Sequence, residues 1–180
     1  PFGVLALQGD FAAHAAAFRD LGVPVREVRR VAELEGLAGV VIPGGESTTM
    51  LKLIDVFDLE PVMRRAFAKK PVWGICAGSI LLATRVTHPV QRSFGLTDID
   101  IKRNGYGSQV DSHESEVAGY PIAYIRAPVI ERIGRQVEII ARHRGHPAWV
   151  RQGHVMVTTF HPELTKIFPS PMHRAFAEML

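Results

Sequence analysis

The chain contains one cysteine, Cys76, set in Val72-Trp73-Gly74-Ile75-Cys76-Ala77-Gly78-Ser79. A lone thiol rules out an internal disulfide framework or a Cys-rich zinc site. Most such residues are small buried hydrophobes. Here, however, a Gly-x-Cys-x-Gly core falls where an apolar strand turns into a helix. That is the cysteine form of a nucleophile elbow, a sharp turn that lifts one side chain above a sheet. Glycines two positions before and after relieve crowding around a residue in strained φ/ψ. A helix N-terminus favours the thiolate, and the Ala77 N–H would face an oxyanion formed on the attacked carbon.

A cysteine nucleophile needs a base, and the base needs an orienting group. Thr159-Phe160-His161-Pro162-Glu163-Leu164 supplies both. Pro162 biases His161 toward extended geometry at a strand end, and Glu163 can reach back to set its tautomer. Alone, the pair reads equally as two surface groups in a loop; following the elbow, it reads as base and orienter.

A third piece is Ile42-Pro43-Gly44-Gly45-Glu46-Ser47-Thr48-Thr49, between a strand and a helix. In an α/β sheet that position lies at the carboxyl edge, where ligands bind. Its paired glycines allow close backbone approach to a substrate, and a glycine N–H could complete an oxyanion hole. A phosphate loop would end in Gly-Lys-Ser/Thr, which is missing. A tight turn with Ser47 or Thr48 capping the helix is compatible with binding. His143-x-x-His146 has metal-site spacing but no acidic or thiol ligand beside it, so no metal is expected there.

The elements that must position these groups alternate in the first half. Strands are expected at Val4–Leu7, Val23–Val28, Gly39–Ile42 and Pro71–Ile75. Helices are expected at Phe11–Leu21, Thr48–Lys70 (broken before Pro61) and Ser79–Val86, with a helical or turn segment at Ala32–Leu37. Continuous apolar strands separated by helices predict a doubly wound, mostly parallel sheet with helices on both faces. Beyond Phe94 come short alternating strands (Ile122–Arg126, Val137–Arg142, Val155–Phe160) with turn signals at Asn104-Gly105 and Arg144-Gly145. These predict an antiparallel extension of the same domain, closed by a helix at Pro171–Leu180. Residues 1–180 are read as one domain.

Composition is that of an ordinary globular domain: 47% hydrophobic, 22% charged, formal charge +3. The basic residues form no stripe interleaved with aromatics, so no nucleic acid is expected. No apolar run approaches the roughly 20 residues that span a bilayer. The opening segment lacks a basic n-region and reads as a strand, so a cytoplasmic protein without membrane association is expected.

Taken in order, these pieces resemble the class I (triad) glutamine amidotransferases. The closer wording resembles the branch that serves as the glutaminase subunit of pyridoxal 5′-phosphate synthase. The resemblance rests on Leu5-Ala6-Leu7-Gln8-Gly9, Pro43 to Met50, Cys76 to Ala83, Arg103 to Ser112, Ile125-Arg126-Ala127-Pro128 and Phe160 to Leu164. It implies Cys76 as nucleophile, His161 as base and acid, and Glu163 as orienter, with an oxyanion hole at Gly44, Gly45 and Ala77. It implies L-glutamine contacts at Gly45, Glu46, Ser47, Arg103, Ile125 and Arg126. It implies no cofactor in this chain, and a (β/α)₈-barrel synthase as partner that receives the ammonia. Asp10, Ile75, Gly105-Tyr106, Ser108 and His113 depart from the branch's usual residues without removing a catalytic group.

Two other readings follow from the same residues. The chain could feed ammonia to a different synthase, against which the Arg103–Ser112 segment argues. It could also be a binding or redox-sensing relative, although that role does not require Cys76, His161 and Glu163 together.

Overall fold

A computed structural model of the chain describes residues 1–103, 113–117, 119–124, 127–164 and 169–179. The N-terminal half runs β1 (Phe2–Leu5), α1 (Phe11–Asp20), β2 (Val25–Val28), a 3₁₀ turn at Val31–Leu34, β3 (Gly39–Ile42), α2 (Ser47–Val56), α3 (Glu60–Phe67), β4 (Val72–Ile75) and α4 (Ala77–Leu82). The rest comprises β5 (Ala83–Thr87), β6 (Thr97–Lys102), β7 (His113–Val117), β8 (Tyr120–Tyr124), β9 (Val129–Ile133), β10 (Glu138–His143), β11 (His146–Gln152), β12 (Val155–Thr158) and α5 (Pro171–Ala177).

Seven strands form the main sheet in the order β10-β11-β12-β4-β3-β1-β2. The pairings β12–β4, β4–β3, β3–β1 and β1–β2 are parallel, whereas β10–β11 and β11–β12 are antiparallel. The expected mixed α/β architecture is therefore present, with the antiparallel extension built onto one sheet edge. A three-stranded sheet, β5-β6-β9, and the β7–β8 hairpin form separate sheets.

Side chains alternate across each strand, and both faces are covered, which explains the unbroken apolar runs. Val40, Ile42 and Val72 join Met50, Ile54, Met63 and Phe67 of α2 and α3 on one face. Val41, Trp73 and Ile75 join Phe18 of α1 and Phe176 of α5 on the other. There Phe2, Phe18, Trp73 and Phe176 form a fully buried aromatic cluster with ring centroids 5.0–6.4 Å apart. Such ring pairs contribute roughly 0.5–1.5 kcal/mol each beyond the area they bury.

The structure adjusts several of the sequence expectations. The helix expected to reach Val86 ends at Leu82, because Ala83–Thr87 pairs parallel with β6; the β-branched Thr84, Val86 and Thr87 suit a pleated ladder better than a helix. The helical region after Thr48 divides at Phe57–Leu59, where Asp58 has φ 52°, and Pro61 then occupies the first turn of α3, which needs no N–H there. The N-terminus of α2 is capped by Glu46, rather than by Ser47 or Thr48. The strand expected at Ile122–Arg126 is β8, Tyr120–Tyr124; Ile125, Arg126 and the Asn104-Gly105 turn lie outside the described residues. Arg144-Gly145 does join β10 to β11, with φ 50° and 81°, as a two-residue hairpin turn requires.

Candidate active site

In an open parallel sheet, ligands bind at the carboxyl ends of the strands, where the chain's crossovers diverge. The connection from β1 leads to β2 on one side, and β3 returns to the other flank of β1, so the divergence falls between β1 and β3. The segments leaving β1, β3 and β4, and the one following β12, meet there. Gln8, Gly9 and Asp10, Gly44 to Glu46, Cys76, and His161 with Leu164 line a cleft of about 450 Å³.

Cys76 sits between β4 and α4 with φ 50° and ψ −104°, a conformation that L-residues adopt only under surrounding constraint. That constraint is visible in the backbone. Its N–H donates to the Thr158 carbonyl at 2.8 Å, and its carbonyl accepts from Ser79 N–H at 3.0 Å. The side chain is 5% exposed and opens onto the cleft. The Gly44 segment passes alongside it: a Cβ added to Gly44 would stand 2.5 Å from His161 Cε1 and 3.4 Å from Cys76 Cβ. A side chain there would separate the thiol from the imidazole, so this glycine is required by close approach.

His161 follows β12, and its Nδ1 lies 2.7 Å from Glu163 Oε1. Both residues are 7% exposed. Burial alone would depress the His161 pKa, but the charge and hydrogen bond of Cys76, then those of Glu163, hold it well above its ordinary value. Burial likewise disfavours the Glu163 carboxylate, yet charge and hydrogen bonding from His14 and then His161 keep its pKa far below the carboxylate range. A thiol, an imidazole and an ionised carboxylate therefore stand in sequence, the order that a nucleophile, its base and the base's orienting group require.

A second, smaller cavity of about 180 Å³ also reaches Cys76. Gly45, Glu46, Ser47, Cys76, Ala77, Ile80 and Arg103 line it. Of the residues expected to contact a substrate, the structure thus gathers Gly45, Glu46, Ser47 and Arg103 around the thiol. Glu46 Oε2 accepts from Thr49 N–H at 2.9 Å and from Thr49 Oγ1 at 2.8 Å, and it also pairs with Thr48 Oγ1. Partial burial raises its pKa, but these hydrogen bonds from Thr48 and Thr49 bring it down to about 2. Arg103 Nη2 donates to Glu46 Oε1 at 3.2 Å. Ser47 Oγ donates to Gln91 Oε1 at 3.1 Å. Gln8 Oε1 accepts the Glu46 N–H at 2.7 Å and so ties the β1 loop to the β3 loop.

Sequence reasoning passes over two buried histidines. His14 and His173 are fully buried behind Glu163. The signal for His14 is its phase: it precedes Phe18 by one helical turn, on the face of α1 that also buries Ala15 and Ala17. Asp10 stands out in the sequence only as a departure from the branch's usual residue; its carboxylate lies within 4.8 Å of donor atoms of His161 and Glu163. Among the described residues no helix is long and apolar enough to cross a membrane.

The fold is that of the class I glutamine amidotransferases. A solved structure titled glutamine amidotransferase matches 99% of this chain and 97% of its own, with 42% identity and a TM-score of 0.89. The model of the SNO glutamine amidotransferase family matches residues 4–179, and the chain belongs to that family. Among curated relatives, the pyridoxal 5′-phosphate synthase subunit PdxT of Solibacter usitatus is 46% identical over 175 residues, covering 91% of each chain. The subunit of the same name from Thermus thermophilus is 44% identical over 185 residues, covering 98% of this chain and 96% of its own.

Proposed function

We propose that this chain is the glutaminase subunit of a pyridoxal 5′-phosphate synthase, hydrolysing L-glutamine to L-glutamate and handing the ammonia to a partner synthase. The observation that carries the reading is the juxtaposition of Cys76 with the buried His161–Glu163 pair, 2.7 Å apart, at the carboxyl edge of the sheet. The family membership and the relatives' names supply the substrate class and the pathway.

In this mechanism the Cys76 thiolate attacks the side-chain carbonyl carbon of glutamine. The oxyanion that forms is held by the Ala77 N–H and by N–H groups of the Gly44-Gly45 segment. His161 gives its proton to the amide nitrogen, the C–N bond breaks, and ammonia leaves a glutamyl thioester on Cys76. Water then attacks the thioester, His161 accepts its proton, and the C–S bond breaks to release glutamate and regenerate the thiolate. Glu163 keeps the His161 ring oriented and stabilises its charge throughout.

The 180 Å³ cavity serves as the recognition pocket, with Arg103 for the α-carboxylate and Glu46 for the α-ammonium. Ile125 and Arg126 are assigned further glutamine contacts on the resemblance alone. No step requires a cofactor. Ammonia released to water is mostly protonated and lost, which is why a dedicated acceptor is proposed: a (β/α)₈-barrel synthase docked over the cleft, with both subunits in the cytoplasm and residues 1–180 acting as one domain.

Covalent labelling with a diazoketone analogue of glutamine tests the assignment. Modification confined to Cys76 and suppressed by excess glutamine is expected. Labelling unaffected by glutamine would contradict it.

A further inference from the structure

The triad uses one oxygen of Glu163. The other, Oε2, lies 3.4 Å from Nε2 of His14. Both atoms are buried, and neither completes a hydrogen bond among the described residues, with each other included. His14 Nδ1 is in turn 2.8 Å from His173 Nε2, and His173 Nδ1 is 2.6 Å from Ser170 Oγ. His14, His173 and Ser170 are all fully buried. The rings stand edge-on to aromatic neighbours: Trp73 lies 5.7 Å from His14 and 5.0 Å from His173, and Phe18 lies 5.4 Å from His173. A file of polar groups therefore runs from the active-site carboxylate through an aromatic core to the start of α5. None of these three residues lines either cavity.

Two imidazoles in so apolar a place are costly unless their polar atoms are satisfied. Ser170 Oγ accepts the His173 backbone N–H at 3.1 Å and keeps a hydroxyl to exchange with His173 Nδ1. An ionised Glu163 can only accept, so His14 must present an N–H at Nε2, the atom facing Oε2. Burial first, and the neighbouring His14 second, push the His173 pKa down to about 2, so this ring stays neutral. On the opposite side, His161 directs Nδ1–H at Oε1 and keeps Nε2 for proton exchange with Cys76.

We propose that His14 is a positioning residue for the triad: its Nε2–H holds the second oxygen of Glu163, and His173 and Ser170 hold its ring in place. The carboxylate is thereby held in one plane, and through it the His161 ring is held toward Cys76. This rests on the glutaminase reading and extends it to a group that touches neither substrate nor thiol. Aromatic packing alone would place two hydrocarbon side chains here as well; it does not account for a carboxylate, two imidazoles and a hydroxyl with polar atoms 2.6–3.4 Å apart in file.

The test compares His14→Gln, which keeps an amide donor at similar reach, with His14→Met, which has the same length and no donor. Two readouts are taken on the full chain with its synthase partner: kcat and KM for glutamine, and the pH profile of alkylation of Cys76 by iodoacetamide. With only one cysteine in the chain, the alkylation signal is unambiguous. His14→Met should lose roughly tenfold or more in kcat, since a hydrogen bond to a charged group is lost. Its KM should hold, and its alkylation profile should shift; His14→Gln should stay near wild type in both readouts. Wild-type kcat and profile in His14→Met, or equal losses in both variants, would overturn the proposal. Should His14→Met fail to fold by circular dichroism, His14→Asn takes its place, because its amide is too short to reach Glu163. Wild-type behaviour in that variant would overturn the proposal equally. If the wild-type chain releases no glutamate at all, the glutaminase reading fails, and the alkylation profiles still decide whether His14 positions His161.

Discussion

Gly78 passes so close to Ile42 that a Cβ built on it would stand 2.1 Å from the Ile42 carbonyl oxygen. The obstacle is backbone in the middle of the sheet, so it cannot rotate away. This contact seats α4 directly on β3 and fixes the height of Cys76 relative to the Gly44-Gly45 segment that follows Ile42. Gly78→Ala should cost about 3 kcal/mol in urea denaturation, and the folded fraction should alkylate more slowly at Cys76. Unchanged stability would show that the two elements can separate freely.

The elbow stores strain in a form that mutation can release. Cys76 holds φ 50° and ψ −104° with a Cβ present, and glycine tolerates positive φ where alanine does not. Both Cys76→Ala and Cys76→Gly should be inactive and folded, with the glycine variant the more stable by roughly 1 kcal/mol. Thermal or urea unfolding of the pair measures the difference. Alanine equal to or better than glycine would mean the elbow is unstrained.

Removing the base should cost more than weakening its orienter. His161→Asn should lower kcat by at least about 10²-fold, the usual scale of general acid–base assistance. Glu163→Gln should lose less, because its carbonyl can still accept from His161 Nδ1. Steady-state glutamate release gives both numbers, and the reverse order would contradict the proposed roles.

Acid should weaken the fold in two stages. His173 is held neutral, its pKa lowered by burial and His14 from 6.5 to about 2. The unfolded chain takes up this proton below about 6.5 while the native state resists, so stability declines from there downward. Glu163, disfavoured as a carboxylate by burial yet lowered from 4.5 by His14 and then His161, contributes stability that is full above 4.5 and is lost as pH falls toward its folded value. The raised pKa of His161 acts oppositely and higher: its contribution is complete below 6.5 and fades as pH rises through the folded value. Urea midpoints should therefore fall between pH 6.5 and 4.5, and His173→Leu should flatten that interval. A wild-type profile level across it would contradict this pairing of buried groups.

Arg103 should act on binding rather than on chemistry. It lines the small cavity and reaches Glu46 at 3.2 Å. Arg103→Ala should raise KM for glutamine roughly tenfold or more and leave kcat nearly unchanged. A loss confined to kcat would remove Arg103 from the recognition pocket.

The parallel half of the sheet is legible in the sequence because buried parallel strands are apolar at every position, as in Gly39–Ile42 and Val72–Ile75. The elbow is legible because two glycines bracketing one cysteine at the junction of a strand and a helix suit a crowded turn and little else. The end of α4 is not legible: Ile80 to Ala83 suits a helix, and only the pairing with β6, which no local pattern announces, draws Ala83–Thr87 into a strand. The cap of α2 is misread from sequence for a related reason. Ser47 and Thr48 have strong capping propensity, but Glu46 reaches the N–H groups of Thr48 and Thr49 from just before the helix. The role of His14 is hidden because its partner, Glu163, stands near the other end of the chain and meets it only in three dimensions.

Glutamate release from glutamine by the purified chain, measured with and without a cognate barrel synthase and with Cys76→Ala as control, decides the glutaminase assignment. Release that depends on Cys76 and rises when the synthase is added is the expected result. No release in either mixture by a demonstrably folded protein would contradict the assignment.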